Sequence, residues 1–336
     1  MITIRDLAKQ AGVSVATVSR VFNNYPDVSE ATKEKVLALA RELDFRPSAA
    51  ARTLKTQRSK VIGVFFNSLM DADLMHPFFQ EVIVGFKRAI GAAGYDMLLF
   101  TNMPPGDGDS AFVRLARHHR VDGVVVMGVD PTAPYLRRLI SSGIPCMAVD
   151  IDAVGQRAGY VISDNRTGAD LAVRHLHERG HRRIAIITGM LNSRPGHDRL
   201  VGYREALEGL GVAYRSEYVQ DGDYSRDSGY EAANRLLQLP ERPTAIFSCG
   251  DYMAIGALRA AHEQGLRVPE DVALVGFDDI QVAAMIHPSL TTVWQDKVGL
   301  GMTAGQGLVA MIEDPDCSPP VITLPVRLIV RESSDS

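Results

Sequence analysis

The stretch TIRDLAKQAGVSVATVSRVFNN, residues 3–24, contains the clearest structural pattern in the chain. Thr3 followed by Asp6 is typical of a capping box, which predicts that a helix begins at the next residue. Gly12 would end that helix, and Ser14 can cap a second helix with the sequence VATVSRVF. Two short helices joined by a tight turn that contains glycine indicate a helix-turn-helix.

A third helix and an exposed face complete the predicted N-terminal bundle. Ser29 can cap a helix that extends to Leu43, because apolar residues recur there at helical spacing. The second helix would expose small apolar residues and an arginine, which can contact thymine methyl groups and guanine edges in the major groove of DNA. By spacing alone, an ordinary three-helix bundle with a polar face remains the alternative. The exposed residues would be Val15, Ala16, Thr17 and Arg20.

Basic side chains are concentrated in the same part of the chain. Residues 1–60 contain eleven lysines and arginines against six aspartates and glutamates, whereas the whole chain has a net charge of −4. The remaining residues are therefore acidic overall. A basic head on an acidic body suits a polyanion that binds the head alone.

Length and composition limit the other possibilities. A chain of 336 residues predicts two or three domains. No apolar run approaches the roughly 18 residues that cross a bilayer. The start, MITIRDLAKQ, lacks the apolar core of a secretory signal, so we expect a cytoplasmic protein with no membrane partner. Cys146, Cys249 and Cys317 lack metal-type spacing, which predicts reduced thiols and no metal site.

Enzyme signatures are weak in this chain. The segment GLGMTAG, residues 299–305, superficially matches part of a dinucleotide fingerprint, but it follows WQDKV and not the buried strand that the fingerprint requires. The sequence contains no G-x-S-x-G motif, P-loop or paired-cysteine metal motif. We therefore predict a protein that is not an enzyme and needs no cofactor.

From Val61 onward, apolar strand-like runs alternate with helical patterns, which is typical of parallel sheets covered by helices on both faces. Residues 85–99, GFKRAIGAAGYDMLL, echo residues 202–216, GYREALEGLGVAYRS, and so indicate two similar lobes. The predicted fold is an all-α head followed by an α/β body of two doubly wound, parallel-sheet lobes. The predicted ranges are 1–46 for the head, 47–60 for a hinge and linker, 61–162 with 292–323 for the N-terminal lobe, and 163–291 with 324–336 for the C-terminal lobe.

Residues 3–24, together with VSEATKEKVLALARELDFRPSAAARTLK at 28–55, closely resemble the LacI/GalR family of bacterial repressors. The similarity extends over nearly the full chain, and the two-lobed body resembles periplasmic sugar-binding proteins. The resemblance implies contacts from the recognition helix to bases, and phosphate contacts from Thr3 and Asn23. The implied DNA-binding residues are Thr3, Ser14, Val15, Ala16, Thr17, Arg20, Asn23, Ala51, Leu54 and Lys55.

The segment from Ser48 to Leu54 is rich in alanine and could form a short helix, although isolated helices of this length are marginally stable. In the family, this hinge helix forms on DNA, paired with its twin, and a leucine enters the minor groove. Leu54 stands at that position, with Ala51 and Lys55 beside it. An apolar wedge of this kind kinks the duplex by unstacking one base step. A flexible linker is the alternative.

Ligands in open α/β sheets bind beyond the carboxyl ends of the strands, so the cleft between the lobes is the expected effector site. By family position, seven residues near those ends resemble effector contacts. Aromatic faces can stack on a sugar ring, and aspartate and arginine can bind adjacent hydroxyl groups. The seven are Phe78, Phe79, Asp150, Arg199 (at the start of its helix), Tyr224, Asp251 and Asp278.

Some of these seven side chains could instead have a structural role. Phe78 or Phe79 could belong to the core, and Asp251 could cap its helix. Many sugar-responsive members of the family have asparagine where Gly250 stands, which weakens the expectation of a sugar. A purine, a nucleoside or a corepressor remains the alternative effector.

The resemblance implies a homodimeric repressor that binds a pseudo-palindromic double-stranded operator. A small molecule, by preference a sugar that induces release of DNA, would control it allosterically. A secreted solute-binding protein would explain the body equally well, but it would not explain the basic helical head.

Overall fold

A computed structural model describes residues 2–22, 25–45, 58–66, 75–100 and 108–335. The chain forms two compact units, Met1–Ser59 and Lys60–Ser336. The predicted phosphate contact Asn23 and the predicted hinge residues Ala51, Leu54 and Lys55 lie outside the described residues.

The first unit contains three helices, α1 (Ile4–Ala11), α2 (Val15–Phe22) and α3 (Glu30–Glu42). The capping box is present, since Asp6 N donates to Thr3 Oγ1 and the Asp6 carboxylate accepts from Thr3 N at 2.9 Å. Gly12 ends α1 in the left-handed region at φ 67°, as the predicted tight turn requires. The apolar faces of the helices form a small core together with Val28 and Phe45, which flank α3. The core residues of the helices are Leu7, Ala8, Ala11, Val18, Val21, Val36 and Ala40.

The second unit contains two six-stranded sheets with helices packed on them. The strands are β1 (Val61–Phe66), β2 (Asp96–Phe100), β3 (Gly123–Met127), β4 (Cys146–Val149), β5 (Ala158–Ser163), β6 (Ile184–Ile187), β7 (Val219–Gln220), β8 (Ala245–Ser248), β9 (Ala273–Asp278), β10 (Thr291–Gln295), β11 (Val321–Leu324) and β12 (Val326–Ile329). The helices are α4 (Pro77–Ala92), α5 (Ala111–His118), α6 (Pro134–Ile140), α7 (Asn165–Glu178), α8 (Arg194–Gly209), α9 (Arg226–Leu237), α10 (Asp251–Glu263) and α11 (Lys297–Glu313).

The two sheets define the two lobes. The N-terminal sheet has the order β11-β5-β4-β3-β1-β2 and is parallel throughout. The C-terminal sheet has the order β12-β10-β9-β8-β6-β7. The predicted fold of two parallel-sheet lobes is confirmed, with one antiparallel exception, the edge strand β12, which pairs with β10.

The chain passes between the sheets three times, after β5, after β10 and after β11. The prediction placed the second passage at residue 292, inside β10. The structure places it after Gln295, because Thr291–Gln295 pair with β9 and β12 of the C-terminal sheet. Apolar strands of both lobes look alike in sequence, so their pattern does not reveal which sheet a strand joins.

Helices α4 and α11 pack very closely in the N-terminal lobe, and glycine makes this approach possible. A Cβ atom at Gly301 would overlap the backbone carbonyl oxygen of Val82, and a Cβ at Gly85 would overlap that of Val298. The two contacts are reciprocal, so a side chain at either position would force the helices apart.

No helix among the described segments is long and apolar enough to cross a membrane.

Gly301→Ala should therefore lower the free energy of unfolding by about 1–3 kcal/mol, the usual cost of overpacking. Gly91→Ala in α4 is the matched control, because its Cβ would meet no atom within 4 Å outside its own helix backbone. Alanine is favoured over glycine in helices by about 1 kcal/mol, so the control should be neutral or stabilising. Urea titration of both variants measures the difference, and equal effects would contradict the close packing of the two helices.

Candidate effector cleft and DNA-binding surface

A cavity lies in the second unit where the carboxyl ends of strands from both sheets meet. Residues that follow β3 and β4 line it from the N-terminal lobe, and residues at or after the ends of β6, β9 and β10 line it from the C-terminal lobe. This is the position expected for a ligand in such a fold. Six of the seven predicted effector residues line the cavity: Phe78, Phe79, Asp150, Arg199, Tyr224 and Asp278.

Asp278 ends β9 and is 4% exposed. Its Oδ1 accepts a hydrogen bond from Gln295 Nε2 at 2.6 Å and lies 3.8 Å from Arg199 Nη1. Its backbone is strained at φ 113°, and Asp279 follows at φ 52°. Lys297 Nζ donates to both backbone carbonyl oxygens, at 2.6 and 3.1 Å, and so holds this strained turn in place.

Arg199 was predicted to stand at the start of its helix. The structure instead places it in the second turn of α8. The helix begins at Arg194 because Ser193 Oγ accepts from Gly196 N and because Pro195 fits the first turn. The Arg199 guanidinium is almost fully buried. It donates to Asn165 Oδ1 at 2.8 Å and to the Cys249 carbonyl oxygen at 2.7 Å. It also lies 3.6 Å from the ring centroid of Phe277, so stacking adds to its hydrogen bonds.

Asp251 does not reach the cavity, which removes the basis for its predicted effector contact. The residue is fully buried, and its two oxygens accept from Thr292 Oγ1 at 2.6 Å and from Ile280 N at 2.8 Å. Burial and the nearby charge of Asp278 raise the pKa of Asp251 well above its usual value. It does not cap its helix either, since Gly250 holds the N-cap position of α10. Asp251 instead links α10 to β10 and to the segment that follows β9.

Aromatic rings form much of the cavity wall. Phe78 and Phe79 are buried and pack edge-to-face at 5.1 Å, so they belong to the core and line the cavity at once. The ring of Tyr224 lies so close to Gly189 that a Cβ there would overlap it. A Cβ at Gly250 would stand 3.4 Å from Tyr224 Cδ1, so the Tyr224 ring lies beside the place where an asparagine side chain would begin.

Three buried polar atoms around the cavity have no hydrogen-bond partner within the described ranges. They are His76 Nδ1, Asp150 Oδ1 and Gln295 Oε1. Buried polar atoms are normally paired, so a cluster of unpaired ones indicates a place for a polar ligand. Burial lowers the pKa of His76 and thereby favours its neutral form. His76 and Gln295 were not among the predicted effector residues, because their only sequence signal is a position next to a predicted helix start.

Burial raises the pKa of Asp150 to about 7, although the positive charge of Arg199 opposes the shift. Between the unfolded pKa near 4 and the folded pKa near 7, the folded protein keeps a proton that the unfolded chain releases. The Asp150 contribution to stability therefore falls as pH rises through this window. Asp150→Asn, which does not titrate, should melt at a higher temperature than the parent at pH 8.

The stabilisation by Asp150→Asn should shrink at pH 5, where the aspartate is protonated in the folded protein. Differential scanning calorimetry at both pH values measures this change. Asp170→Asn in α7, where Asp170 is half-buried and pairs with Arg174, is the control for the change from carboxylate to amide. The same gain at pH 5 as at pH 8 would show that burial does not perturb the Asp150 carboxyl.

The predicted base-contact residues at the start of α2 and in it are mostly exposed. Ser14, Val15, Ala16 and Arg20 are exposed, and Thr17 is half-buried. Ser14 Oγ accepts from Thr17 N at 3.0 Å and so caps α2, as predicted. Val15 is 41% exposed although it is apolar, which suits a surface that is covered in a complex.

The structure offers no metal centre in the part of the chain that it describes, where no three His, Cys, Asp or Glu side chains group suitably. Cys146, Cys249 and Cys317 are free thiols, and burial raises the pKa of the first two to about 12. These two buried thiols are therefore neutral at physiological pH and unreactive.

Comparison with known proteins identifies the family. The model of bacterial regulatory proteins of the lacI family matches residues 3–48, and that of the periplasmic binding protein-like domain matches residues 173–334. The HTH-type transcriptional repressor PurR of Yersinia enterocolitica is 38% identical over 335 residues, which cover 99% of this chain and 97% of that protein. The chain belongs to the LacI family. This LacI-family chain is a DNA-binding transcriptional repressor and not an enzyme.

Solved structures of similar proteins agree with this assignment. The lac repressor dimer bound to operator and the anti-inducer ONPF is 30% identical to this LacI-family repressor and has a TM-score of 0.87 over 100% of this chain and 99% of that one. The complex of the transcriptional regulator CelR with cellobiose is 33% identical, with a TM-score of 0.76 over 99% of this chain and 100% of that one. Both the helical head and the two-lobed body therefore have matches among related regulators.

Proposed function

We propose that a small sugar, bound in the cleft between the lobes, controls the affinity of this repressor for its operator. The observation that supports the sugar site most strongly is the buried pair of Arg199 and Asp278 beside unpaired polar atoms and aromatic walls. Charged groups at a strand end are costly to bury unless a partner or ligand satisfies them. The related regulator CelR has been solved with cellobiose, which supports a sugar here.

On the DNA side, we propose that the protein acts in the cytoplasm as a homodimer on a pseudo-palindromic operator. The lac repressor, a relative of this chain, binds operator as a dimer. Two copies of α2 would present Val15, Ala16, Thr17 and Arg20 to the two half-sites. Thr3 and Asn23 would contact phosphates, and Leu54, beside Ala51 and Lys55, would enter the minor groove.

Movement of the lobes would connect the two sites. The body has three inter-sheet connections, after Ser163, Gln295 and Leu324, and connections of this kind allow lobes to close around a ligand. Arg194 already bridges the lobes, because it pairs with Asp152 after β4 at 2.5 Å. A ligand that closes the lobes changes operator affinity, and operator must change ligand affinity by the same factor. We propose induction, in which the ligand releases the DNA.

A purine or nucleoside is the second candidate effector. The chain is 38% identical to repressors named PurR, and the aromatic rings of Phe78 and Phe79 in the cavity wall would also suit a purine ring. With such an effector, the ligand could act as a corepressor that tightens DNA binding.

The experiment uses an operator that the protein itself selects from random duplex DNA. Operator affinity is measured with and without neutral sugars, purine bases and nucleosides, alongside thermal melting. A ligand at a hundred times its dissociation constant should add about 2.7 kcal/mol of stability. Asp278→Asn should retain operator binding and lose the ligand response, whereas the exposed-residue control Asp227→Asn should keep both. An unchanged response in Asp278→Asn would place the effector site elsewhere.

A further inference from the structure

The cavity wall contains more acidic side chains than basic ones, and its one arginine is paired with an aspartate. Among the lining residues that the structure describes, the carboxyl and guanidinium side chains are Asp150, Asp278 and Arg199, and Asp150 is fully charged only above its raised pKa of about 7. Two carboxyl groups thus face one guanidinium group. His76, an imidazole at the same wall, is kept neutral by burial, which lowers its pKa.

Arg199 is poorly placed to receive an additional anion. Its Nε and Nη1 donors are used by Asn165 and by the Cys249 carbonyl oxygen, and its charge is balanced by Asp278 at 3.8 Å. A phosphate group usually needs two free parallel donors from an arginine, or several donors from different residues.

The other cationic side chains close to the cavity also bind partners within the protein. Arg194 pairs with Asp152 and Asp198, each at 2.5 Å. Lys297 is buried and donates to the carbonyl oxygens of Asp278 and Asp279. Residues 67–74 and 101–107, which lie outside the described ranges, contain no lysine or arginine.

Helix N-termini often bind phosphate through free backbone N–H groups, but at the two helices that begin beside this cavity such groups are missing or already hydrogen-bonded. Helix α4 begins with Pro77, which has no N–H group, and Phe79 N donates to the His76 carbonyl oxygen at 3.1 Å. At the start of α8, Gly196 N donates to Ser193 Oγ at 3.2 Å. These helix starts therefore do not aim free N–H groups at an anion.

The cavity offers its ligand hydrogen-bond acceptors from both lobes. Asp150 Oδ1 and Gln295 Oε1 are buried without a partner among the described residues. Asp150 follows β4 of one lobe and Gln295 ends β10 of the other, so a ligand with several hydroxyl or N–H groups can satisfy both and join the lobes. A dianionic phosphate has no proton to donate and would be desolvated without a counter-charge.

We propose that the cleft selects a neutral, unphosphorylated ligand with at least two hydrogen-bond donors, and that it rejects sugar phosphates and nucleotides. This inference rests on the proposed function, because it assigns the effector class to the same cleft. Asp150 and Gln295 favour a ligand that donates hydrogen bonds. Anions are disfavoured because Arg199, Arg194 and Lys297 already bind partners within the protein.

The test compares matched pairs that differ only in a phosphate group, at constant ionic strength and pH 8. The pairs are glucose and glucose 6-phosphate, trehalose and trehalose 6-phosphate, ribose and ribose 5-phosphate, and inosine and its 5′-monophosphate. Trp294, the single tryptophan of the chain, directly precedes the cavity residue Gln295 in β10, and its fluorescence reports on this strand. The neutral member of any responding pair should bind at least about 100-fold more tightly than its phosphate. A phosphorylated member that binds as tightly as, or more tightly than, its neutral partner would overturn the inference.

Inorganic phosphate gives a second measurement that does not depend on the identity of the effector. It should leave Trp294 fluorescence of the parent protein unchanged up to tens of millimolar. Met190→Lys, which adds a cation to the cavity wall, should produce a saturable response, and Met190→Gln should not. Saturable phosphate binding at the cleft of the parent protein would refute the inference. If phosphate behaves as expected but no neutral compound binds, the exclusion of anions stands and the proposed sugar effector fails.

Discussion

Arg199→Met should lower the free energy of unfolding by about 3–5 kcal/mol, because breaking a buried ion pair leaves its partner uncompensated. Asp278 would remain buried without its positive neighbour, and Asn165 Oδ1 and the Cys249 carbonyl oxygen would each lose a donor. Arg199→Lys should recover part of the loss, since lysine keeps the charge but cannot reproduce both hydrogen bonds and the stacking on Phe277.

Urea denaturation at pH 7 measures the Arg199 effect. Arg204→Met is the matched control on the same helix, because Arg204 is exposed and donates to the hydroxyl of Tyr214 at the surface. Its loss should cost less than about 0.5 kcal/mol. Similar small losses for both arginines would show that the buried pair contributes little to the stability of the lobe.

Lys297→Met should lower the free energy of unfolding by about 2–4 kcal/mol and also weaken effector binding. The buried carbonyl oxygen of Asp278 and the part-buried one of Asp279 would lose the Nζ donor, and a buried unsatisfied group costs about 1–3 kcal/mol. The same donor stabilises the positive φ angles of both residues, so the Asp278 carboxylate would lose its fixed position. The ion pair with Glu81 at 3.6 Å would be lost as well.

The Lys297 prediction has two measurements, urea denaturation and calorimetric titration with whichever ligand the screen identifies. Lys87→Met on the exposed face of α4 is the control and should change neither quantity. A drop in stability with unchanged ligand affinity would mean that Lys297 supports the fold without positioning Asp278.

The helices of the head could be predicted closely because their ends are set by neighbours in sequence. Thr3 with Asp6, Gly12, Ser14 and Ser29 each act within three or four residues of the helix end that they define. Capping bonds of this kind do not depend on the rest of the fold, so the pattern alone is sufficient.

The cleft was predicted less completely because its geometry depends on tertiary structure. The predicted roles of Asp251, ligand contact or helix cap, followed from its place at the start of α10, yet its carboxylate binds Thr292 and Ile280 from other elements. Gln295 lies in a strand whose sheet was not evident from its apolar pattern. Arg199 is different, because local signals were present in the sequence. Ser193 can cap the helix and Pro195 fits its first turn, although the helix was predicted to start at Arg199.

The three passages between the sheets also determine when each lobe can fold during synthesis on the ribosome. Helix α11 covers the N-terminal sheet through Leu300, Ala304 and Leu308, and β11 supplies its edge strand. One apolar face of the N-terminal sheet therefore stays uncovered while most of the C-terminal lobe is translated. The last strand of the N-terminal lobe, residues 321–324, is synthesised only after that. Nascent chains shorter than this should bind chaperones through that face, and neither lobe can be transplanted into another protein as one contiguous segment.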